Sequence, residues 1–141
     1  ENDAANAVLS AKAEAMGRAG LEADFAVILP KELPLGAADL CALLGNALDN
    51  AMEAAEQAED KKVVLRCRAD KGLFMLRVEN AYAGDLPPDL ATTKADKASH
   101  GFGLTGMREI AQRLGGSLEV RASGGRFQLV AGLPLFPAPR P

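Results

Sequence analysis

The sequence predicts an α/β fold, a two-layer α/β sandwich in which helices cover one face of a mixed sheet. Three observations predict it. Segments of helical period alternate with short β-rich runs along the chain. One segment, Asp39 to Ala58, has no proline and keeps a broad apolar arc throughout. The later β-rich runs come in pairs around glycine-bearing turns. Apolar residues make up 48% of the 141, enough for the core of one domain.

The elements follow in order. From Asp3 to Gly17, Val8, Leu9, Ala11, Ala15 and Met16 recur among small and charged residues, and the helix they predict stops in the segment Gly17 to Gly20. Phe25 to Leu29 is a short apolar run closed by Pro30, which predicts a strand. Within Asp39 to Ala58, Leu40, Leu43, Leu44, Ala47, Leu48, Ala51, Ala54 and Ala55 fall on one arc at 100° per residue, the pattern of a helix packed along one side. Val63 to Arg68 and Leu73 to Val78 alternate and join through Asp70-Lys71-Gly72, a hairpin. Glu79 to Gly101 has Gly84, Pro87, Pro88 and several charges without an apolar period, so it reads as a long loop, and loops of that length in compact domains tend to be lids or binding loops. Leu104 to Leu114 returns to helical spacing and ends at Gly115-Gly116 as a C-cap does. Leu118 to Val120 and Phe127 to Ala131 close the sheet around Ser123-Gly124-Gly125, and the segment after Gly132 is rich in proline.

Composition narrows the function. A formal charge of −3 with scattered basic residues gives no footprint for nucleic acid. No apolar run is long enough to span a bilayer, and none follows a basic start as in a signal peptide, so no membrane contact is expected of this piece. Cys41 and Cys67 lack metal-ligand spacing and read as buried thiols of a reducing compartment. The chain opens at Glu1 rather than at methionine, and it is expected to be a piece of something longer.

Two clusters carry chemistry. On the long helix Asn46, Asp49, Asn50 and Glu53 form a stripe beside the apolar arc. Asp49 and Glu53 suit a solvated face, but asparagine is a mediocre helix former that such a face does not need, and its neutral oxygen can ligate Mg²⁺. The second cluster is His100-Gly101-Phe102-Gly103-Leu104-Thr105-Gly106, where two glycines ahead of a helix let main-chain N–H groups approach a phosphate. These letters also fit G-x-G-x-x-G, but a dinucleotide fingerprint follows a buried strand, and this one follows the charged stretch Lys94 to His100. His100 is the only histidine, which excludes a multi-histidine metal site. It is placed as a lid residue beside phosphates, where Lys94, Lys97 and Arg108 can add positive charge, although each of the three also suits an ordinary surface position.

Together, Leu43 to Ala54, Thr92-Thr93-Lys94, His100 to Leu104 and Met107 to Ile110 resemble a GHKL ATP-binding domain, and within that superfamily the branch found in sensor kinases of peptide quorum-sensing and citrate-type systems. The resemblance implies a Bergerat-type sandwich with a loop-like ATP lid, formed by residues 1–136 as one domain ahead of a proline-rich tail, 137–141. It implies that Asn50 holds the Mg²⁺ bridging the nucleotide phosphates. Asn46 stands where hydrolysing members place a glutamate base, and an amide cannot take a proton as a carboxylate does. Asn80 stands in place of the usual adenine-pocket aspartate, with Gly84 the survivor of a glycine pair. Lys94, His100, Gly101, Phe102, Gly103 and Leu104 are expected around the phosphates. The cofactors implied are ATP and Mg²⁺. The partners implied are histidine-bearing dimerisation helices of the parent protein and a response regulator, with the domain on the cytoplasmic side of a membrane-bound receptor. The alternative reading is a degenerate domain that docks a protein partner with little or no nucleotide binding.

Overall fold

The computed structural model describes residues 2–82 and 101–135. The order of elements is α1 (Asp3–Arg18), β1 (Glu22–Ile28), α2 (Ala37–Glu56), β2 (Lys62–Asp70), β3 (Leu73–Ala81), α3 (Gly101–Arg113), β4 (Ser117–Ser123) and β5 (Arg126–Pro134). The five strands form one sheet in the order β1-β2-β3-β5-β4. β1 and β2 run parallel across the α2 crossover, and the other neighbours are antiparallel.

Local chemistry sets the element ends. At the start of α1 the Asn2 side chain accepts a hydrogen bond from the Ala5 amide at 3.1 Å, an N-cap that satisfies one orphan donor of the first turn. Two helices end alike. The Leu21 amide reaches back to the Met16 carbonyl and the Gly116 amide to the Ala111 carbonyl, with Gly20 and Gly115 both at φ +79° between helix and strand. The β2–β3 hairpin turns through Lys71 and Gly72, both at positive φ, the twist that two-residue hairpin turns require. A side chain at Gly116 would run into the Gly132 carbonyl and Leu133, so the start of β4 lies tight against β5.

The three helices lie on one face. Leu40, Leu43, Leu44 and Leu48 of α2, Met107 of α3 and Met16 of α1 meet the inward residues Val63, Leu65, Phe74, Leu76, Leu129 and Leu133 of the sheet, all essentially inaccessible. The fold class is the one the sequence predicts, a mixed sheet with helices on one side. The other side of the sheet is uncovered, and Ile28, Leu73 and Met75, the exposed large apolar residues among those described, stand there.

Two of the boundaries that differ from expectation bear on the candidate site. Glu79, Asn80 and Ala81 belong to β3 rather than to a loop: they pair with Gln128, Phe127 and Arg126 of β5, and Asn80 occupies an inward position that an apolar residue would ordinarily take. Helix α3 begins at Gly101, not Leu104, so Gly101-Phe102-Gly103 form its first turn instead of preceding it. The rest of the expected loop, with Gly84, Lys94 and His100, and the tail 137–141 lie outside the described residues.

Candidate functional site

The position of Asn46 and Asn50 follows from an ion pair at the far end of their helix. Arg113, the last residue of α3, donates two hydrogen bonds to the Asp39 carboxylate in the first turn of α2, at 2.9 and 3.2 Å. That contact holds the Asp39 carboxyl below its ordinary range, chiefly through the hydrogen bonds from Arg113, against an opposing desolvation and with a smaller contribution from the Arg113 charge. Asn46 and Asn50 follow Asp39 by seven and eleven residues, close to two and three whole turns, so all three lie on the flank of α2 that faces α3. Since the start of α2 meets the end of α3, the helices run in opposite senses. The rise from Asp39 to Asn50 is ~16 Å and that from Arg113 back to Gly101 ~18 Å, which brings the first turn of α3 level with Asn50.

The stripe read from sequence therefore divides. Asn46 and Asn50 are half-buried on the α3 side. Asp49 turns the other way and accepts a 2.6 Å bond from Lys12 of α1, a partly exposed pair of the kind that contributes little to stability. Glu53 is exposed.

The sheet supplies the floor. Asn80, near the end of β3, lies between Val63 at the start of β2 and Phe127 of β5, on the inner face and toward the C-terminal half of α2. It is 1% exposed. Its Nδ2 donates to the Ala81 carbonyl at 2.8 Å, while its Oδ1 is buried with no hydrogen-bond partner among the described residues. An unmade buried acceptor costs ~1–3 kcal/mol, and in a native protein that calls for an explanation. The amide is set the right way round, because the opposite orientation would face two oxygens across 2.8 Å.

Three features thus lie toward one end of the described residues: two amides on α2, the first-turn N–H groups of α3, which have no partner within the helix, and an oxygen of Asn80 without a partner among the described residues. The N–H groups and dipole of a helix start favour an anion. An amide oxygen is a hard, neutral ligand for a cation that arrives already held by phosphate, which is how Mg²⁺ is usually bound. Among the described residues there is no cluster of three or more His, Cys, Asp or Glu fit to hold a metal without such help. The predicted residues Asn46, Asn50, Asn80 and Leu104 are brought to this end; of Gly101, Phe102 and Gly103 the helical backbone is described, and Gly84, Lys94 and His100 lie outside the described residues. Sequence reasoning missed the Ala81 carbonyl, which sets the Asn80 amide; a main-chain atom leaves no letter to read. A separate concavity of about 440 Å³ lies on the uncovered sheet face, lined by Ile28, Arg66, Arg68, Met75, Arg77 and Val130, remote from the asparagines.

Solved structures share this fold. The nucleotide-free catalytic domain of the histidine kinase ThkA superposes with a TM-score of 0.71 at 19% identity, over 96% of this chain and 94% of that one. Full-length ShkA in complex with AMPPNP gives 0.71 at 20% identity, over 93% of this chain and 29% of that one. The histidine kinase AdeS of Acinetobacter baumannii gives 0.63 at 16% identity, over 92% and 64%. At such identities the likeness is one of fold alone. Residues 35–134 match the family model described as the GHKL domain, and the chain belongs to that family. The sensor protein kinase CarS of Pseudomonas aeruginosa is 34% identical over 111 residues, which is 73% of this chain; the chain spans about a quarter (24%) of that relative's length.

Proposed function

We propose that the chain, with residues 1–136 as one domain, is the ATP-binding catalytic domain of a two-component sensor histidine kinase, holding Mg-ATP for phosphoryl transfer to a histidine on separate dimerisation helices. The single observation that carries the nucleotide reading is the buried Asn80 Oδ1, without a hydrogen-bond partner among the described residues, on the sheet face below α2. A base offering an N–H donor would relieve it. A protein-docking module without nucleotide leaves that acceptor unexplained. The kinase names of CarS, ThkA and AdeS, and the AMPPNP bound to ShkA, support the same reading by kinship.

In this reading Asn50 holds Mg²⁺ through its side-chain oxygen, and the first-turn N–H groups of α3, from Gly101 to Leu104, receive the phosphates. The metal would offset charge on the phosphate oxygens as the terminal group leaves. Asn46 orients its neighbours but accepts no proton, so water near the phosphates is not activated and ATP is kept for the histidine acceptor. By the family resemblance, Gly84 is assigned to the adenine pocket and Lys94 and His100 to the surroundings of the phosphates. The natural setting is the cytoplasmic side of a membrane-bound receptor, with a response regulator taking the phosphoryl group onward.

Ligand binding to the native state raises the unfolding midpoint by mass action. Millimolar ATP with Mg²⁺ should therefore raise the melting temperature of this chain by several degrees, and chelation of the metal should reduce the gain. Asn50→Ala, a half-buried change without a bond to break among the described residues, should melt normally yet respond weakly. An unchanged midpoint for the parent chain at millimolar Mg-ATP would falsify the proposal.

A further inference from the structure

A sheet with apolar side chains on both faces needs cover on both. Here α1, α2 and α3 cover one face, while the other opens into a concavity of about 440 Å³. The strand registers lay out its floor. One cross-strand row runs Ile28, Arg68, Met75 and Gly132, and the next runs Ala26, Arg66, Arg77 and Val130. Gly132 leaves room for Met75, whose sulfur would lie 3.4 Å from a Cβ placed there. The floor is therefore apolar, and Ile28, 72% exposed on the edge strand β1, stands at one side of it. An exposed apolar patch with a polar rim is the usual mark of an interaction surface, and arginine and methionine are residues that such surfaces favour.

The rim says what kind of partner fits. In a chain of net charge −3, the charged residues that line the concavity are three arginines, Arg66, Arg68 and Arg77. Arg66 and Arg77 stand directly opposite one another on β2 and β3, a like-charge pairing that is destabilising and that an anion between them would relieve. Their own carboxylate partners lie to the side. Asp24 and Glu79 belong to the next row, at 3.3 and 3.1 Å, and Asp70 sits at the hairpin end, 3.3 Å from Arg68. These are solvent-accessible pairs, of a kind that contributes little. Arg68 and Arg77 each use one terminal nitrogen in them, so the rest of each guanidinium fork has no partner among the described residues and can take a carboxylate. A second copy of this chain would bring like rows of arginine together, and a flat bilayer would not reach the floor of a concavity. We propose that the outer face of β1, β2 and β3 docks a partner protein presenting an acidic amphipathic helix, with its apolar ridge on Ile28, Met75 and Val130 and its carboxylates on Arg66, Arg68 and Arg77. The face lies across the sheet from the candidate site, so the proposal stands apart from the nucleotide reading.

The test is fluorescence anisotropy on the whole chain with two labelled helical peptides that share one leucine ridge and differ in the residues flanking it, glutamate in one and lysine in the other. The glutamate peptide should bind, and its affinity should fall steeply with added salt. Ile28→Asp should weaken it about tenfold or more, as loss of an apolar anchor does. Arg68→Glu should weaken it too and should turn binding toward the lysine peptide, a gain that misfolding cannot produce. Both side chains are largely exposed, so both variants should melt with the parent and respond to Mg-ATP as the parent does. Equal binding of the two peptides, silence toward the glutamate peptide, or variants that bind as the parent does would each overturn the proposal. Sedimentation, of the chain alone and with vesicles containing phosphatidylserine, examines the other occupants. A dimer that Ile28→Asp dissociates would assign the face to a second copy, vesicle binding lost in Arg68→Glu would assign it to a membrane, and either result overturns the protein partner.

Discussion

Asn80 and Cys67 sit on neighbouring strands with their side chains buried, and burial does opposite things to them. For Asn80 it isolates an acceptor oxygen that has no hydrogen-bond partner among the described residues. For Cys67 it silences a nucleophile, since desolvation raises the thiol from 9.0 to about 12 and lowers the thiolate fraction near pH 8 about a thousandfold. Cys41 is half-buried on α2, with its thiol 3.9 Å from the Ala4 carbonyl. Of the two free thiols, one should therefore react with an aromatic disulfide reagent at pH 8 in the native chain, and both in denaturant. Equal rates in the native state, or modification of Cys67 first on peptide mapping, would contradict the burial argument. Sequence made the two helix asparagines legible because their residue type suits neither a core nor a solvated face. Asn80 was singled out as a candidate only through family resemblance. Its strand was cut short at Val78 because a polar side chain on an inward position breaks the alternation by which strands are read.

At the scale of elements, the candidate site depends on how α3 is hung beside α2. The glycine pair was read as a loop entering a helix, since glycine is the poorest ordinary helix former. Yet first-turn residues carry N–H groups without intrahelical partners, so Gly101 and Gly103 sit where glycine costs least and a phosphate gains most. The clamp at the other end joins residues 74 positions apart, a separation no periodicity discloses. The sign of its pH dependence follows from the lowered Asp39 carboxyl. Its contribution to stability is complete above the ordinary value of 3.8 and is lost as pH falls below it, because protonation then favours the unfolded chain. Asp39→Asn should melt slightly below the parent at pH 7, and the gap should close near pH 3. Arg113 is largely exposed, so the effect should be small and should shrink in salt. A gap that persists at low pH and in high salt would mean that asparagine disturbs α2 by some other route than the ion pair.

At the scale of the molecule, the sheet's helical face is committed to the core and the site, and the chain accounts for about a quarter of the length of its kinase relative. No helix among the described residues is long and apolar enough to cross a membrane. The general architecture was legible because helix and strand periods alternate cleanly; the meeting of α2, α3 and β3 was not, since it depends on tertiary packing. The proposed division of labour, nucleotide here and acceptor elsewhere, has a consequence for the whole chain. His100 is its only histidine and stands next to the glycines proposed to receive the phosphates, so it belongs with the donor and not with an acceptor that must approach the terminal phosphorus in line. Incubated alone with γ-labelled Mg-ATP, the chain should bind nucleotide yet gain no acid-labile phosphate, and Asn46 should keep release of inorganic phosphate near background. Supplying the histidine-bearing helices of its parent as a separate polypeptide should place label on those helices. Stable labelling of the isolated chain that disappears in His100→Gln would make His100 an acceptor and reverse this assignment, and rapid phosphate release would restore hydrolysis as the main reaction of the site.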